Sequence, residues 1–306
     1  MRAVFMGTPD FSVPVLRAMK EGGIDIAAVY TQPDRPKGRK KTPVMSPVKE
    51  AALSYGLKVI QPEKLREEAV IRTLAELAPD VIVVVAFGQI LPKAVLEIPP
   101  MGCVNVHASL LPEYRGAAPI QQSILDGKKE TGVTTMLMDE GLDTGDILLQ
   151  KKIMIAEDET GGSLFDKLSV LGAELLMETL GGLEAGTIVP VPQPESGSYV
   201  GMLKKEMGRM DFSQPAAVLE RRVRGLYPWP GAYTERNGKR LKITGASVSD
   251  GKAAPGSIAC MTKEGFGIGT GEGILMVRQL QPEGKKEMTA AEYLHGYPVS
   301  EGELLG

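Results

Sequence analysis

Residues 104–146 read VNVHASLLPEYRGAAPIQQSILDGKKETGVTTMLMDEGLDTGD. Residues 104–107 have the composition of the end of a short apolar strand. Side chains alternate across a strand, so Asn105, His107 and Ser109 point to one side while the pairing lasts. An amide and an imidazole then stand together at a strand's carboxyl end, where open α/β sheets place their ligands. The Ser-Leu-Leu-Pro of residues 109–112 is too apolar and too stiff for an ordinary solvated loop. A second strand over residues 132–139 leads into Gly141-Leu-Asp-Thr-Gly-Asp, a tight turn that carries Asp143. Asn, His and Asp together suit an acyl-type transfer. The amide and the imidazolium can hold a developing oxyanion, and the carboxylate can orient or charge the ring.

Taken singly, each residue has an ordinary explanation. A lone His beside a strand is commonly structural, Asp in a turn serves the backbone, and Asn105 can finish a strand. The ordered set is what carries information: N-x-H-x-S-L-L-P, then R-G, then T-G-V-T, then D-x-G-D. Ser109 does not support a hydrolase, because G-x-S-x-G is absent.

Around this stretch the chain reads as alternating strands and helices. Residues 2–6 form a short apolar strand, turned by Gly7-Thr-Pro-Asp-Phe into a helix with Ser12 as N-cap and Pro14 just inside it. This is not a G-x-G-x-x-G fingerprint, so a dinucleotide cofactor gains little support. A second strand covers residues 24–30. The Pro- and Lys-rich stretch of residues 31–50 shows no period, and loops of that length are usually functional or disordered. Ser46-Pro47 opens the next helix and Gly56 closes it. Residues 80–87 are a β-branched run, as expected of a strand buried on both faces of a parallel sheet. A helix over residues 117–125 precedes the second motif strand. A long helix is expected over residues 162–180, stopped by the Gly181-Gly182 pair. Three prolines in residues 189–198 then mark a linker stiffened towards polyproline II. Short strands over residues 241–248, 256–261 and 273–280 follow, with the spacing of a small β-barrel.

The ordered motif set resembles the folate-dependent formyltransferase superfamily, and the resemblance spans nearly the whole chain. It implies an α/β fold: a Rossmann-like N-terminal catalytic domain (1–187), a linker (188–206) and a smaller OB-like β-barrel domain (207–306). It makes Asn105, His107 and Asp143 catalytic. It places Ser109, Leu110, Leu111 and Pro112 beside the folate, and Phe87, Gly88, Gln89, Ile90 and Leu91 near its pterin. The co-substrate implied is 10-formyltetrahydrofolate, with no metal. Three stretches point to the branch that acts on initiator methionyl-tRNA. They are the opening VFMGTPDFSVPVL, the insertion PDRPKGRKKTPVMSPVK and the segment YPWPGAY of residues 227–233. Arg39 matches the key arginine of that branch's tRNA-contacting loop, with Lys40 and Lys41 beside it. Lys204, Lys205 and Arg209 are expected on tRNA as well. A sugar-nucleotide N-formyltransferase and a non-catalytic RNA-binding protein are the alternatives. Sugar-acting members lack the basic insertion, and a binding module would ignore the folate.

Composition fits this reading. The 306 residues carry a net charge of −3, two cysteines and two histidines. Two domains are the prior for this length. Two cysteines without partner spacing point to a reducing cytoplasm, and two histidines rule out a His-rich metal site. The first residues turn too soon for a signal peptide, and no apolar run approaches a membrane span. A monomer is expected. An acidic chain with basic clusters in residues 34–49 and 204–245 suggests a polyanion touched in particular places.

Overall fold

The computed structural model describes residues 1–37 and 42–306. In chain order it begins β1 (Arg2–Gly7), α1 (Val13–Glu21), β2 (Asp25–Tyr30), β3 (Arg35–Lys37), β4 (Thr42–Val44), α2 (Pro47–Ser54), β5 (Val59–Ile60) and α3 (Glu68–Glu76). Next come β6 (Val81–Val85), α4 (Lys93–Leu96), β7 (Cys103–His107), β8 (Arg115–Gly116), α5 (Pro119–Leu125), β9 (Glu130–Leu137), β10 (Ile147–Met154), α6 (Gly161–Glu184) and β11 (Tyr199–Val200). The last part holds α7 (Ala216–Gly225), β12 (Ala232–Arg236), β13 (Lys239–Ser249), β14 (Ile258–Thr262), β15 (Gly265–Gly269), β16 (Ile274–Pro282), β17 (Met288–Thr289) and α8 (Ala290–Gly296).

The chain forms two compact units. The first contains Met1–Gly116, Thr131–Ile153 and Phe165–Val200; the second contains Ala117–Glu130, Met154–Leu164 and Gly201–Gly306. These units do not follow the boundaries 187 and 207 drawn from chain order. Helix α5 packs on α7 and so belongs with the second unit. Residues 188–200 belong with the first.

The first unit is built on a seven-stranded sheet in the order β10-β9-β7-β6-β1-β2-β5. The pairs β1–β2, β1–β6, β2–β5 and β6–β7 are parallel, and β7–β9 is antiparallel. The β-branched run sits where its composition demands. Every residue of β6 is buried, as are Ala3, Val4, Phe5 and Met6 of β1. Inner strands of a parallel sheet lose water on both faces, and each fully buried Val or Ile contributes roughly 1.5–3 kcal/mol.

Two local expectations are corrected. Ser12 precedes α1 but its side chain does not cap it; Ser12 Oγ donates to the Val85 carbonyl at 2.6 Å, tying the first turn to the end of β6. Helix α6 runs through Gly181-Gly182 to Glu184. Glycine ends a helix when it takes up positive φ, and here that residue is Gly186, at φ +65°. Gly182 instead makes room for Ile188, whose Cδ1 would lie 2.6 Å from an added Cβ. Ser46 does cap α2, accepting from Lys49 N at 3.1 Å, and Gly56 follows that helix at φ +67°.

The second unit carries a separate antiparallel sheet in the order β12-β13-β16-β15-β14, with β17 on β16. The ladder ends at β12 and β14. One core joins this sheet to the helices, with Leu219 and Val223 of α7 and Tyr293 of α8 packed among Ile243, Phe266, Ile268 and Val277.

Arg236 Nε donates to Glu303 Oε1 at 2.7 Å, and the guanidinium also reaches the Pro298 carbonyl and Tyr293 Oη. The Arg236 hydrogen bond holds the Glu303 carboxyl below its ordinary 4.5. A carboxyl depressed on folding contributes stability above its unfolded value, and that stability is lost as pH falls through the folded value. Glu303→Gln is therefore expected to lower Tm by a constant amount above about pH 5 and by progressively less below it. Thermal melts of both proteins over pH 3 to 7 check this; parallel curves throughout exclude the linkage.

Candidate active site

The end of β7 places Asn105 and His107 side by side, 8% and 7% exposed. The turn between β9 and β10 brings Asp143 to them. Asn105 Nδ2 lies 3.5 Å from Asp143 Oδ1, and His107 Nδ1 lies 3.7 Å from Asp143 Oδ2. The three residues singled out in the sequence therefore share one place. Asp143 is itself fixed by the backbone: Gly116 N donates to its Oδ2 at 2.7 Å. His107 Nε2 meets the Tyr114 carbonyl at 2.9 Å. A carbonyl only accepts, so Nε2 carries a proton and Nδ1 faces the carboxylate. Contacts of 3.5 and 3.7 Å between Asp143 and its two neighbours are too long to engage those donors fully. The Asn105 amide is held by one long bond and can turn to an incoming oxygen.

Backbone strain gathers here. Asp143 has φ +54° and Tyr114 φ +58°, both in the left-handed region. Such conformations cost about 1–3 kcal/mol each and persist where the surroundings hold them. In the Asp143 turn, Asp139 accepts from Gly141 N at 3.0 Å and from Thr144 Oγ1 at 2.8 Å. Gly145 lies so close to the Leu137 carbonyl that a Cβ would run into it. The T-G-V-T motif pins the other side of the site. Thr134 is fully buried; its Oγ1 donates to the Ser109 carbonyl at 2.6 Å and accepts from Leu111 N at 3.1 Å. Gln150 donates to the Leu111 carbonyl at 2.8 Å. Burial pushes the Cys103 thiol up to about 12, so it supplies no nucleophile beside the site at neutral pH.

The residues expected near a folate are placed unevenly. Ser109 is fully buried, and its hydroxyl donates to the Glu113 carbonyl at 2.6 Å, which makes it a loop brace. Leu111 is buried, and Leu110 and Pro112 are half-buried. Phe87 and Leu91 are buried in the core cluster of the sheet. The Phe87 carbonyl accepts from Thr8 Oγ1 and Gln32 Nε2. The Gln89 amide accepts from Leu65 N and donates to the Pro62 carbonyl. Within residues 87–91 this leaves Ile90, 89% exposed, and the main chain around Gly88 to meet a ligand.

Arg39, Lys40 and Lys41 lie outside the described residues. Among the described residues of that stretch, where the sequence shows no period, β3 and β4 pair antiparallel. Lys49, counted with this basic cluster, is bound to Asp34 at 2.6 Å. Lys204, Lys205 and Arg209 are exposed. Arg221, Arg222 and Arg224 are not free cations. They bind the carbonyls of Leu125, Met207 and Glu159, and Arg224 also pairs with Glu220. Sequence charge alone could not separate these internal arginines from exposed lysines.

Sequence reasoning missed the side chains that support the site. Arg115, 2% exposed, lies inside the R-G motif but had no role. Gln193 lay in the expected linker. Among the described residues no cluster of His, Cys, Asp and Glu is placed to hold a metal ion. Among them, too, no helix is long and apolar enough to cross a membrane.

The family profile described as formyl transferase matches residues 1–180, and that of the formyl transferase C-terminal domain matches residues 202–298. A methionyl-tRNA formyltransferase of Lachnospira eligens is 54% identical over 314 aligned positions, covering 100% of both chains. Among solved structures, an N-formyltransferase from Helicobacter canadensis, in complex with folinic acid and dTDP-3-aminofucose, is similar at 19% identity and TM-score 0.66; the match covers 91% of this chain and 99% of that one. HypX from Aquifex aeolicus, in complex with tetrahydrofolic acid, is similar at 18% identity and TM-score 0.66; it covers 100% of this chain and 50% of that one.

Proposed function

We infer the reaction from the family: this chain belongs to the formyl transferases and, within them, to the methionyl-tRNA formyltransferases. It transfers a formyl group to the α-amino group of methionine on charged initiator tRNA, for translation initiation. The likeness to the sugar-acting neighbour, at 19% identity, is one of fold alone. The donor is 10-formyltetrahydrofolate, which supplies the formyl carbon, and the reaction belongs to the cytoplasm. The observation that carries the chemistry is the meeting of Asn105, His107 and Asp143 at the carboxyl end of β7.

The nucleophile is an α-amine, which titrates at about 7.7–8.0, so a useful neutral fraction exists near neutral pH. As it attacks the formyl carbon, negative charge grows on the formyl oxygen. Asn105 Nδ2 donates to that oxygen. His107 donates from Nδ1, the nitrogen on the side of Asp143 and Asn105. Asp143 balances the imidazolium; as the bond from the formyl carbon to the folate nitrogen breaks, His107 passes its proton to that nitrogen, and the new ammonium releases one proton in return, which restores the ring's charge. The Tyr114 carbonyl keeps the ring from turning throughout. Neither a metal nor a covalent enzyme intermediate is required by this scheme.

The reading is tested by transfer of labelled formyl from 10-formyltetrahydrofolate to charged initiator tRNA, with uncharged tRNA and amino sugars as controls. Labelled amino sugar and unlabelled tRNA would overturn it. The exposed Lys204, Lys205 and Arg209 are proposed to bind tRNA phosphates. Replacing all three by Gln is expected to weaken tRNA binding and to reduce the slope of log K against log[salt] by up to about 0.9 for each phosphate left unneutralised. An unchanged slope moves the tRNA to another surface.

A further inference from the structure

The proline-rich segment that follows α6 does more than join two units. Val191 exchanges both backbone hydrogen bonds with Ile147, at 2.8 and 2.9 Å. Further on, Ser198 binds the loop after β7: its Oγ accepts from Tyr114 N at 2.7 Å and its carbonyl from Arg115 N at 2.8 Å. Strand β11 then pairs with β8. The segment is thus a strap laid across the loops that carry the site.

Gln193 stands in the middle of this strap, and its side chain spans both loops. Gln193 Nε2 donates to the Asp143 carbonyl at 3.0 Å and to the Gly145 carbonyl at 2.7 Å. Gln193 Oε1 accepts from Arg115 Nε at 3.1 Å and Nη2 at 2.9 Å. Carbonyls only accept and a guanidinium only donates, so the amide has one possible orientation. Two donors and two acceptor sites are all that such an amide has, and all are used. Arg115 is held in turn: Nη2 reaches the Pro194 carbonyl at 3.0 Å and Nη1 the Tyr199 hydroxyl at 3.2 Å. Pro192 and Pro194 flank Gln193, and a residue before proline is confined to extended backbone, so the strap is ordered at low entropic cost.

We propose that Gln193 is a positioning residue for formyl transfer. It holds the strained 143–145 turn, and with it the Asp143 carboxylate, against Asn105 and His107, with buried Arg115 as its anchor. This rests on the function inferred above. Gln193 acts through Asp143, whose carbonyl it holds.

The test uses Gln193→Glu and Gln193→Met in the full chain. Glu keeps the acceptor for Arg115 but loses both donors and sets a carboxylate against two carbonyls. Met keeps the length and loses all four bonds. The readouts are kcat, KM for each substrate, Tm, and the ring ¹⁵N signals of the two histidines in the chain. His295, on α8 in the second unit, is the internal control. The expected result for Gln193→Glu is a fall in kcat of about tenfold, within the 10²-fold that a misplacement of about 1 Å can cost. KM for the folate and Tm should hold, and the His107 ring signals should shift while those of His295 stay. Unmoved His107 signals overturn the proposal whatever the activity. A fall in Tm with both histidines displaced also overturns it, since that marks general loss of structure. If the wild type transfers no formyl group to charged tRNA, the functional reading fails, and the ring signals still report whether Gln193 sets the site.

Discussion

Asp143→Asn is expected to lower kcat by about 10³-fold, with the fold intact. The carboxylate has three polar neighbours: Gly116 N at 2.7 Å, Asn105 Nδ2 at 3.5 Å and His107 Nδ1 at 3.7 Å. An asparagine can keep its oxygen on Gly116 N, and the loop survives. Its amide nitrogen then takes the place of Oδ1 and faces Asn105, a donor set against a donor, while the oxygen left beside His107 carries no charge. The imidazolium loses its counter-charge, and Asn105 is turned from the position the oxyanion needs. Removing one oxyanion donor typically costs roughly 10²–10³ in rate, and here two are disturbed at once. His107→Ala is expected to lose as much, since it removes a donor and the proton carrier together. The measurement is kcat with both substrates saturating, beside circular dichroism of each variant. Near-normal kcat in either would remove that residue from the mechanism.

The second large effect is expected at Arg39. An initiator tRNA must be told apart from an elongator carrying the same amino acid, so discrimination must reach the acceptor stem. Arg39 itself lies outside the described residues; β3 and β4 pair on either side of residues 38–41. A guanidinium can bond a phosphate or a base edge at two points, where a lysine acts as a point charge. Arg39→Ala is expected to lower kcat/KM for charged initiator tRNA by about 10²-fold, the upper range for one bidentate pair of about 1–3 kcal/mol. Affinity for the folate should barely move. Arg39→Lys should recover part of the loss. Wild-type rates for Arg39→Ala at sub-saturating tRNA would show that these residues do not read it.

The sequence by itself determined a good deal. The run of valines in β6 is legible because a strand buried on both faces admits little else. Asn105, His107 and Asp143 were legible because their motifs come in a fixed order, and strand alternation puts the first two on one side. The separate antiparallel sheet was legible from short, closely spaced strands. What the tertiary structure alone decided lies in partners that are backbone atoms or distant in the chain. The Tyr114 carbonyl that fixes His107 would be a carbonyl whatever residue stood there. Gly181 and Gly182 look like a helix stop, and only the nearness of Ile188 shows that one of them serves packing. Arg221 and Arg222 look like phosphate ligands until their guanidinium groups are seen on the carbonyls of Leu125 and Met207. Gln193 sits among prolines, as a linker residue would. Local pattern records which face a side chain takes, but a hydrogen bond across 50 residues to the Asp143 carbonyl exists only once the chain has folded over it.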